Sequence, residues 1–232
     1  MPLFKSYLKD FSHLLFPHNC ACCGTDTLNE NEQLCLRCFT LLPETGFFHA
    51  RGNPIEKAFY GRQDIANAGA AYYFTKDSML QHLMVRLKYR NDKKAGIYLG
   101  RLTGAMLSET RRFHDVDLLV PLPLNSKKEQ QRGYNQAAII CEGIAEIWRK
   151  PVLKNAVVRK RFTETQTHQN RISRWQNMED VFAVADKEAL RSKHILLVDD
   201  VVTTGATLEA CASAIRLIEG ITISIATVAY TI

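Results

Sequence analysis

The stretch Ile195-Leu196-Leu197-Val198-Asp199-Asp200-Val201-Val202-Thr203-Thr204-Gly205-Ala206-Thr207 constrains this 232-residue chain more than any other. Four consecutive apolar residues, with no polar alternation, read as a strand covered on both faces. Helical spacing begins at Leu208, so a strand, a loop and a helix follow one another directly. In open α/β sheets ligands bind at the carboxyl ends of strands, where this loop sits. Thr203, Thr204 and Thr207 offer hydroxyls, Gly205 permits close backbone approach, and the next helix presents free N–H groups at its positive end. That set suits a phosphate monoester. Asp199 and Asp200 are acceptors for a diol, directly or through a hard cation such as magnesium. Together they describe a ribose 5-phosphate site. The competing reading is a strand–turn–helix whose aspartates merely cap the helix, a costly use of two carboxylates beside an apolar strand. The chain contains neither G-x-x-x-x-G-K-S/T nor G-x-G-x-x-G, which removes the P-loop and dinucleotide-fold readings.

The rest of the chain supports an α/β layout. Strands are expected at 65–74, 116–122, 156–159, 194–199 and 221–230. Helices are expected at 79–89, 97–107, 135–148 and 208–218. Strands separated by helices argue for a mostly parallel sheet with crossover connections. The polar stretch Gly46 to Asp64 reads as the boundary before this domain, which divides the chain into 1–50 and 51–232. Residues 3–15 have the apolar spacing of a short amphipathic helix, expected to pack against the protein.

Within the first segment, Cys20-Ala21-Cys22-Cys23 and Cys35-Leu36-Arg37-Cys38 form two C-x-x-C pairs. Cys20, Cys23, Cys35 and Cys38 supply four thiolates, the donor set of a structural, tetrahedral zinc site in a small zinc-ribbon-like module. A closed four-thiolate site leaves no position for catalysis. An iron–sulfur cluster would use the same thiolates, and disulfides are disfavoured if the compartment is reducing. Cys22 belongs to neither pair, and His18 and His49 flank a set that needs no further ligand. Cys141 and Cys211, on apolar helix faces, are expected to act as small core hydrophobes.

Hydrophobic residues make up 46% of the chain, enough to bury a core and to exclude a disordered tail. No run approaches the roughly 20 apolar residues of a membrane span. The first residues lack the layout of a signal peptide, so the expected location is the cytoplasm.

The 195–207 segment resembles the phosphoribosyl pyrophosphate (PRPP) signature of type I phosphoribosyltransferases. Joined to the four-Cys module, it resembles the ComF family, associated with competence for DNA uptake. Leu87-Lys88-Tyr89, Pro121-Leu122-Pro123-Leu124 and Arg132-Gly133-Tyr134-Asn135-Gln136 extend the resemblance. So do Phe16-Pro17, then Arg159, Thr163, Gln166, Arg174 and Asn177, and Val181-Phe182. The chain departs from the family pattern at Gln169 and Asn170. The resemblance implies a PRPP-binding phosphoribosyltransferase fold, with magnesium bound alongside PRPP and pyrophosphate released to an unidentified acceptor. Asp199 and Asp200 would hold the ribose hydroxyls and act as the catalytic pair. Thr203, Thr204, Gly205 and Thr207 would hold the 5-phosphate, within a signature that includes Val201, Val202 and Ala206. Pro121, Leu122, Pro123, Arg132 and Lys88 are expected around pyrophosphate. The alternative is a non-catalytic competence component that uses the same fold to bind single-stranded DNA or protein partners.

The positive charge is uneven. Residues 149–174 carry eight Lys or Arg and one acid, more net charge than the +6 of the whole chain. The run reads as a solvated face, as an arginine-rich cover over the PRPP site, or as a contact to single-stranded nucleic acid with Phe162 and Trp175 for stacking.

Overall fold

The structure, a computed structural model, describes residues 19–160 and 181–232 except 27, 29–31 and 77. The helix expected over 3–15, with Phe16, Pro17 and His18, lies outside these residues. So do Phe162, Thr163, Gln166, Gln169, Asn170, Arg174, Trp175 and Asn177.

The described strands are β1 (Ala68–Phe74), β2 (Leu118–Pro121), β3 (Val157–Arg159), β4 (Phe182–Val184), β5 (His194–Val202) and β6 (Thr222–Thr231). The described α-helices are α1 (Leu36–Thr40), α2 (Pro54–Phe59), α3 (Met79–Tyr89), α4 (Lys93–Glu109), α5 (Ser126–Arg132), α6 (Gln136–Trp148) and α7 (Ala206–Ile215). Four strands form one sheet of order β1-β6-β5-β2, and every pairing in it is parallel. This is the α/β, mostly parallel, phosphoribosyltransferase-like architecture expected of the chain, with the four cysteines gathered at its amino-terminal side.

The apolar run at the centre of β5 is explained by what covers it. Ile195 and Leu197 pack among residues of α2 and α7, while Leu196 and Val198 pack with α3, α4 and α6. Alternate side chains point to opposite faces, and both faces are buried, so polar residues have no place in the run. Cys141 and Cys211 lie fully buried in these two cores, as small hydrophobes do. On the α3 side, α4 and α6 cross almost backbone to backbone. A Cβ on Gly100 would stand 2.2 Å from the Ile140 carbonyl oxygen.

Two expectations about strands change. β5 runs on to Val202 rather than stopping at Asp199, because β6 continues to pair with it as far as Tyr230. β3 does not join the main sheet: it pairs antiparallel with β4, and the isolated bridge Leu119–Val152 takes the edge beside β2 instead. The stretch 46–64, read as a boundary, is itself packed. Phe47, Phe48, Ile55 and Phe59 are buried there. The Asn53 amide donates to the carbonyls of Phe47, Ala50 and Ala68, while its oxygen accepts from the N–H groups of Ile55 and Glu56 that open α2. The cysteine segment is also joined to the body. Leu28, Leu34 and Leu42 share a core with Leu80 and Leu83, and Tyr73 N–H donates to the Pro43 carbonyl at 2.8 Å.

Candidate active site and metal centre

The end of β5 and the start of α7 form one continuous feature. Asp199 and Asp200 are the last charged residues of the strand, and Thr203 and Thr204 are exposed in the turn that follows. Gly205 has φ +77°, in the left-handed region, and a Cβ there would meet the Phe59 ring at 3.1 Å. Both constraints exclude an ordinary side chain. Gly205 at the N-cap has no side chain to cap α7; the Ala206 N–H donates to Thr204 Oγ1 at 3.4 Å, which places that hydroxyl in the turn at the helix start.

Two carboxylates share this strand end. Asp200 is 8% exposed, and its N–H donates to Asp199 Oδ1 at 2.8 Å. Asp199 keeps some surface in solvent, yet burial of its carboxyl, reinforced by the Asp200 charge, pushes its pKa well above the ordinary carboxylate range. The Lys88 ammonium opposes that shift only in part. Lys88 reaches the site from the last turn of α3 and stands 2.8 Å from Asp200 Oδ2. Its neighbours Arg132 and Tyr89 line, with Lys88 itself, a pocket of about 390 Å³, in which the Arg132 guanidinium lies over the Tyr89 ring at 5.6 Å. Lys128 also lines it, and among the described residues no acidic one does. Two cations assigned from sequence are thus brought together, one of them directly onto the aspartate pair.

The loop after β2 behaves differently from its assignment. Leu122 N–H donates to the Val198 carbonyl at 2.8 Å, its own carbonyl accepts from Asn135 Nδ2 at 2.9 Å, and its side chain is buried. Pro121 and Pro123 have no N–H to give. Pro121, Leu122 and Pro123 therefore frame the site beside Asp199 without donating to an anion.

The described part of the basic run 149–174 is dispersed. Lys150 lies over the Trp148 ring, Lys154 pairs with Glu142, and Arg159 lies over Phe182. A second group of cations is more concentrated. Arg86, Arg90, Lys93 and Lys94 line an open cleft of about 610 Å³ next to the Lys88 pocket. Residues 86–94 hold five cations and one acid, a signal present in the sequence but hidden beside the larger run.

The four cysteines converge as their spacing requires. Their sulfurs all lie within 4.8 Å of one another, and Cys23 Sγ and Cys35 Sγ are 3.6 Å apart. A tetrahedral ion with Zn–S bonds of about 2.3 Å places sulfurs about 3.8 Å apart, so the set can hold a metal such as zinc. Burial raises the Cys20 thiol, but the N–H groups of Cys23, Cys35 and Cys22 outweigh it and bring its pKa down to about 6. Cys22 is turned away: its thiol donates to the Met79 carbonyl at 3.5 Å, and burial pushes it up to about 11.

Comparison with known proteins agrees with this geometry. Residues 137–231 match the family model described as "Phosphoribosyl transferase domain". Competence protein F of Haemophilus influenzae is 32% identical over 141 residues, 59% of this chain and 62% of that protein. DNA utilization protein YhgH of Escherichia coli K12 is 29% identical, over 56% of this chain and 57% of its own. Competence protein ComFC of Bacillus subtilis is 28% identical, over 60% and 54%. The matched stretch thus spans between half and two thirds of each relative. Among solved structures, the glutamine PRPP amidotransferase of B. subtilis complexed with ADP and GMP aligns with 56% of this chain and 25% of its own, at 16% identity and a TM-score of 0.40. Residues 137–231 thus carry a phosphoribosyltransferase domain, and the chain is similar over more than half its length to proteins named for competence and DNA utilization.

Proposed function

We propose that the protein binds PRPP and transfers its phosphoribosyl group to an acceptor, releasing pyrophosphate. The observation that carries this reading is the pair Asp199–Asp200 at the end of the central strand, joined on one side to the threonine-glycine turn that opens α7 and on the other to Lys88. Thr203, Thr204, Gly205 and Thr207 take the 5-phosphate, in a turn completed by Val201, Val202 and Ala206. Asp199 and Asp200 take the ribose hydroxyls. Lys88 and Arg132 face the pyrophosphate, within the frame of Pro121, Leu122 and Pro123.

In the reaction the bond from C1 to the pyrophosphate oxygen breaks and a bond from C1 to the acceptor forms. The chain contributes position and charge rather than a nucleophile. The aspartates stabilise positive charge at the ribose, and the cations stabilise the negative charge of the leaving group. Asp199 and Asp200 would be the carboxylates able to hold magnesium together with PRPP, and the ion would supply further neutralisation of diphosphate charge. In this reading Cys20, Cys23, Cys35 and Cys38 hold a structural zinc. The division into a cysteine module at 1–50 and a phosphoribosyltransferase domain at 51–232, and a cytoplasmic location, belong to the same proposal. Among the described residues no helix is long and apolar enough to cross a membrane.

A second reading rests on the Arg86–Lys94 cleft and the relatives' names. It takes the protein as a competence component that binds single-stranded DNA or protein partners without turnover. One experiment separates the two: pyrophosphate release from PRPP and magnesium, across nucleobases and amines, for wild type and Asp200→Asn. Release by wild type that Asp200→Asn abolishes supports the enzyme. Absence of release with every acceptor, together with DNA binding that falls steeply with salt, supports the second reading.

A further inference from the structure

Two adjacent residues, Tyr134 and Asn135, hydrogen-bond to the two walls of the site. The Tyr134 hydroxyl donates to the Leu87 carbonyl, one residue before Lys88. Carbonyls in the last turn of a helix lack an intrahelical donor. In α3 the Arg86 carbonyl takes both the Arg90 and Asp92 N–H groups, and Asn91 at φ +52° turns the chain away. The buried phenol thus serves the next carbonyl from outside the helix, and it fixes the end of α3 at the position from which Lys88 reaches Asp200. Lys93 stands over the same ring, 5.3 Å from its centre.

Asn135 does the corresponding work on the other wall. Its Oδ1 accepts from Ala137 N–H at 3.0 Å and starts α6, while its Nδ2 donates to the Leu122 carbonyl at 2.9 Å. Leu122 is in turn bonded to Val198, next to Asp199. One peptide unit therefore connects the Lys88 helix to the loop beside the aspartates. Arg132 lies two residues upstream, across the left-handed Gly133 at φ +75°.

We infer that Tyr134 and Asn135 are positioning residues that align Lys88 and Arg132 with the 121–124 loop, and so register the pyrophosphate half of the site against the ribose half. The inference rests on the phosphoribosyl reading above. Packing alone would affect every ligand equally, whereas registration affects only ligands that carry the diphosphate.

The test is calorimetric titration of the whole chain with ribose 5-phosphate, pyrophosphate and PRPP, each with magnesium. Tyr134→Phe keeps the ring and loses the donor. Asn135→Ser keeps a helix-capping oxygen and loses the Nδ2 donor without adding charge. Each variant should bind ribose 5-phosphate within about twofold of wild type and bind pyrophosphate and PRPP about fivefold more weakly or worse, the factor for one lost neutral hydrogen bond. Variants that leave pyrophosphate binding unchanged, or that weaken ribose 5-phosphate equally, overturn this inference and leave the phosphoribosyl reading standing. A wild-type chain that binds none of the three overturns that reading, and the inference with it.

Discussion

Lys88 Nζ lies 2.8 Å from Asp200 Oδ2, although 112 positions separate the two residues in the chain. The ammonium occupies an acceptor that a ribose hydroxyl takes in the proposed complex, so ligand entry exchanges one partner for another and frees Lys88 for the diphosphate. Both side chains are largely buried, and removing one leaves the other undercompensated. Lys88→Met should lower unfolding stability by about 1–3 kcal/mol in urea titrations. It should also weaken PRPP about tenfold or more. Unchanged PRPP affinity in the folded variant would remove Lys88 from the site.

Asp199 gives the free protein a pH dependence of definite sign. Its folded pKa is raised above the ordinary value of 3.8, so over the interval from 3.8 up to that raised value the folded state holds a proton that the unfolded state has released. Stability from this group is complete below pH 3.8 and is lost as pH rises through the interval. Asp199→Asn should flatten that fall and make the ligand-free protein more stable at neutral pH, while PRPP binding is lost. Denaturant unfolding between pH 4 and 8 checks it; an equally steep fall in the variant would refute it.

Gly205 carries two independent demands, a left-handed φ of +77° and the Phe59 ring 3.1 Å from a hypothetical Cβ. Gly205→Ala should cost about 1–2 kcal/mol in stability. Ribose 5-phosphate affinity should drop with it, because the turn that presents the α7 N–H groups must shift. A variant with wild-type phosphate affinity would show that the turn is not the phosphate cradle.

The cysteine cluster predicts a contrast between neighbours. Cys35→Ser should abolish stoichiometric metal, measured by elemental analysis, and loosen the core shared by Leu34, Leu42 and Leu80. Cys22→Ser should keep the metal, because its thiol points to Met79 rather than into the cluster. Metal loss in both variants, or in neither, would contradict the four-thiolate assignment.

Much of the site was legible because its determinants are local. The strand, turn and helix from Ile195 to Thr207 are contiguous, and the two C-x-x-C pairs each bend within four residues. Helix α3 was placed to the residue, since its apolar spacing is uninterrupted from Met79 to Tyr89 and Ser78 caps it. By contrast, Gly and Pro between 46 and 64 mark turns in any context. The burial of Phe47, Phe48, Ile55 and Phe59 and the hydrogen bonds of Asn53, which depend on the folded body, show that this segment is packed.

The sequence by itself determined the strand-end aspartates, the glycine before α7 and the four-thiolate set, because each follows from backbone periodicity or spacing over a few residues. Only the tertiary structure decided that Lys88 meets Asp200, that β3 leaves the main sheet for β4, and that Leu122 spends both of its backbone groups on Val198 and Asn135. Those contacts join residues far apart in the chain, and their partners are selected by packing in the folded state, which no local pattern encodes.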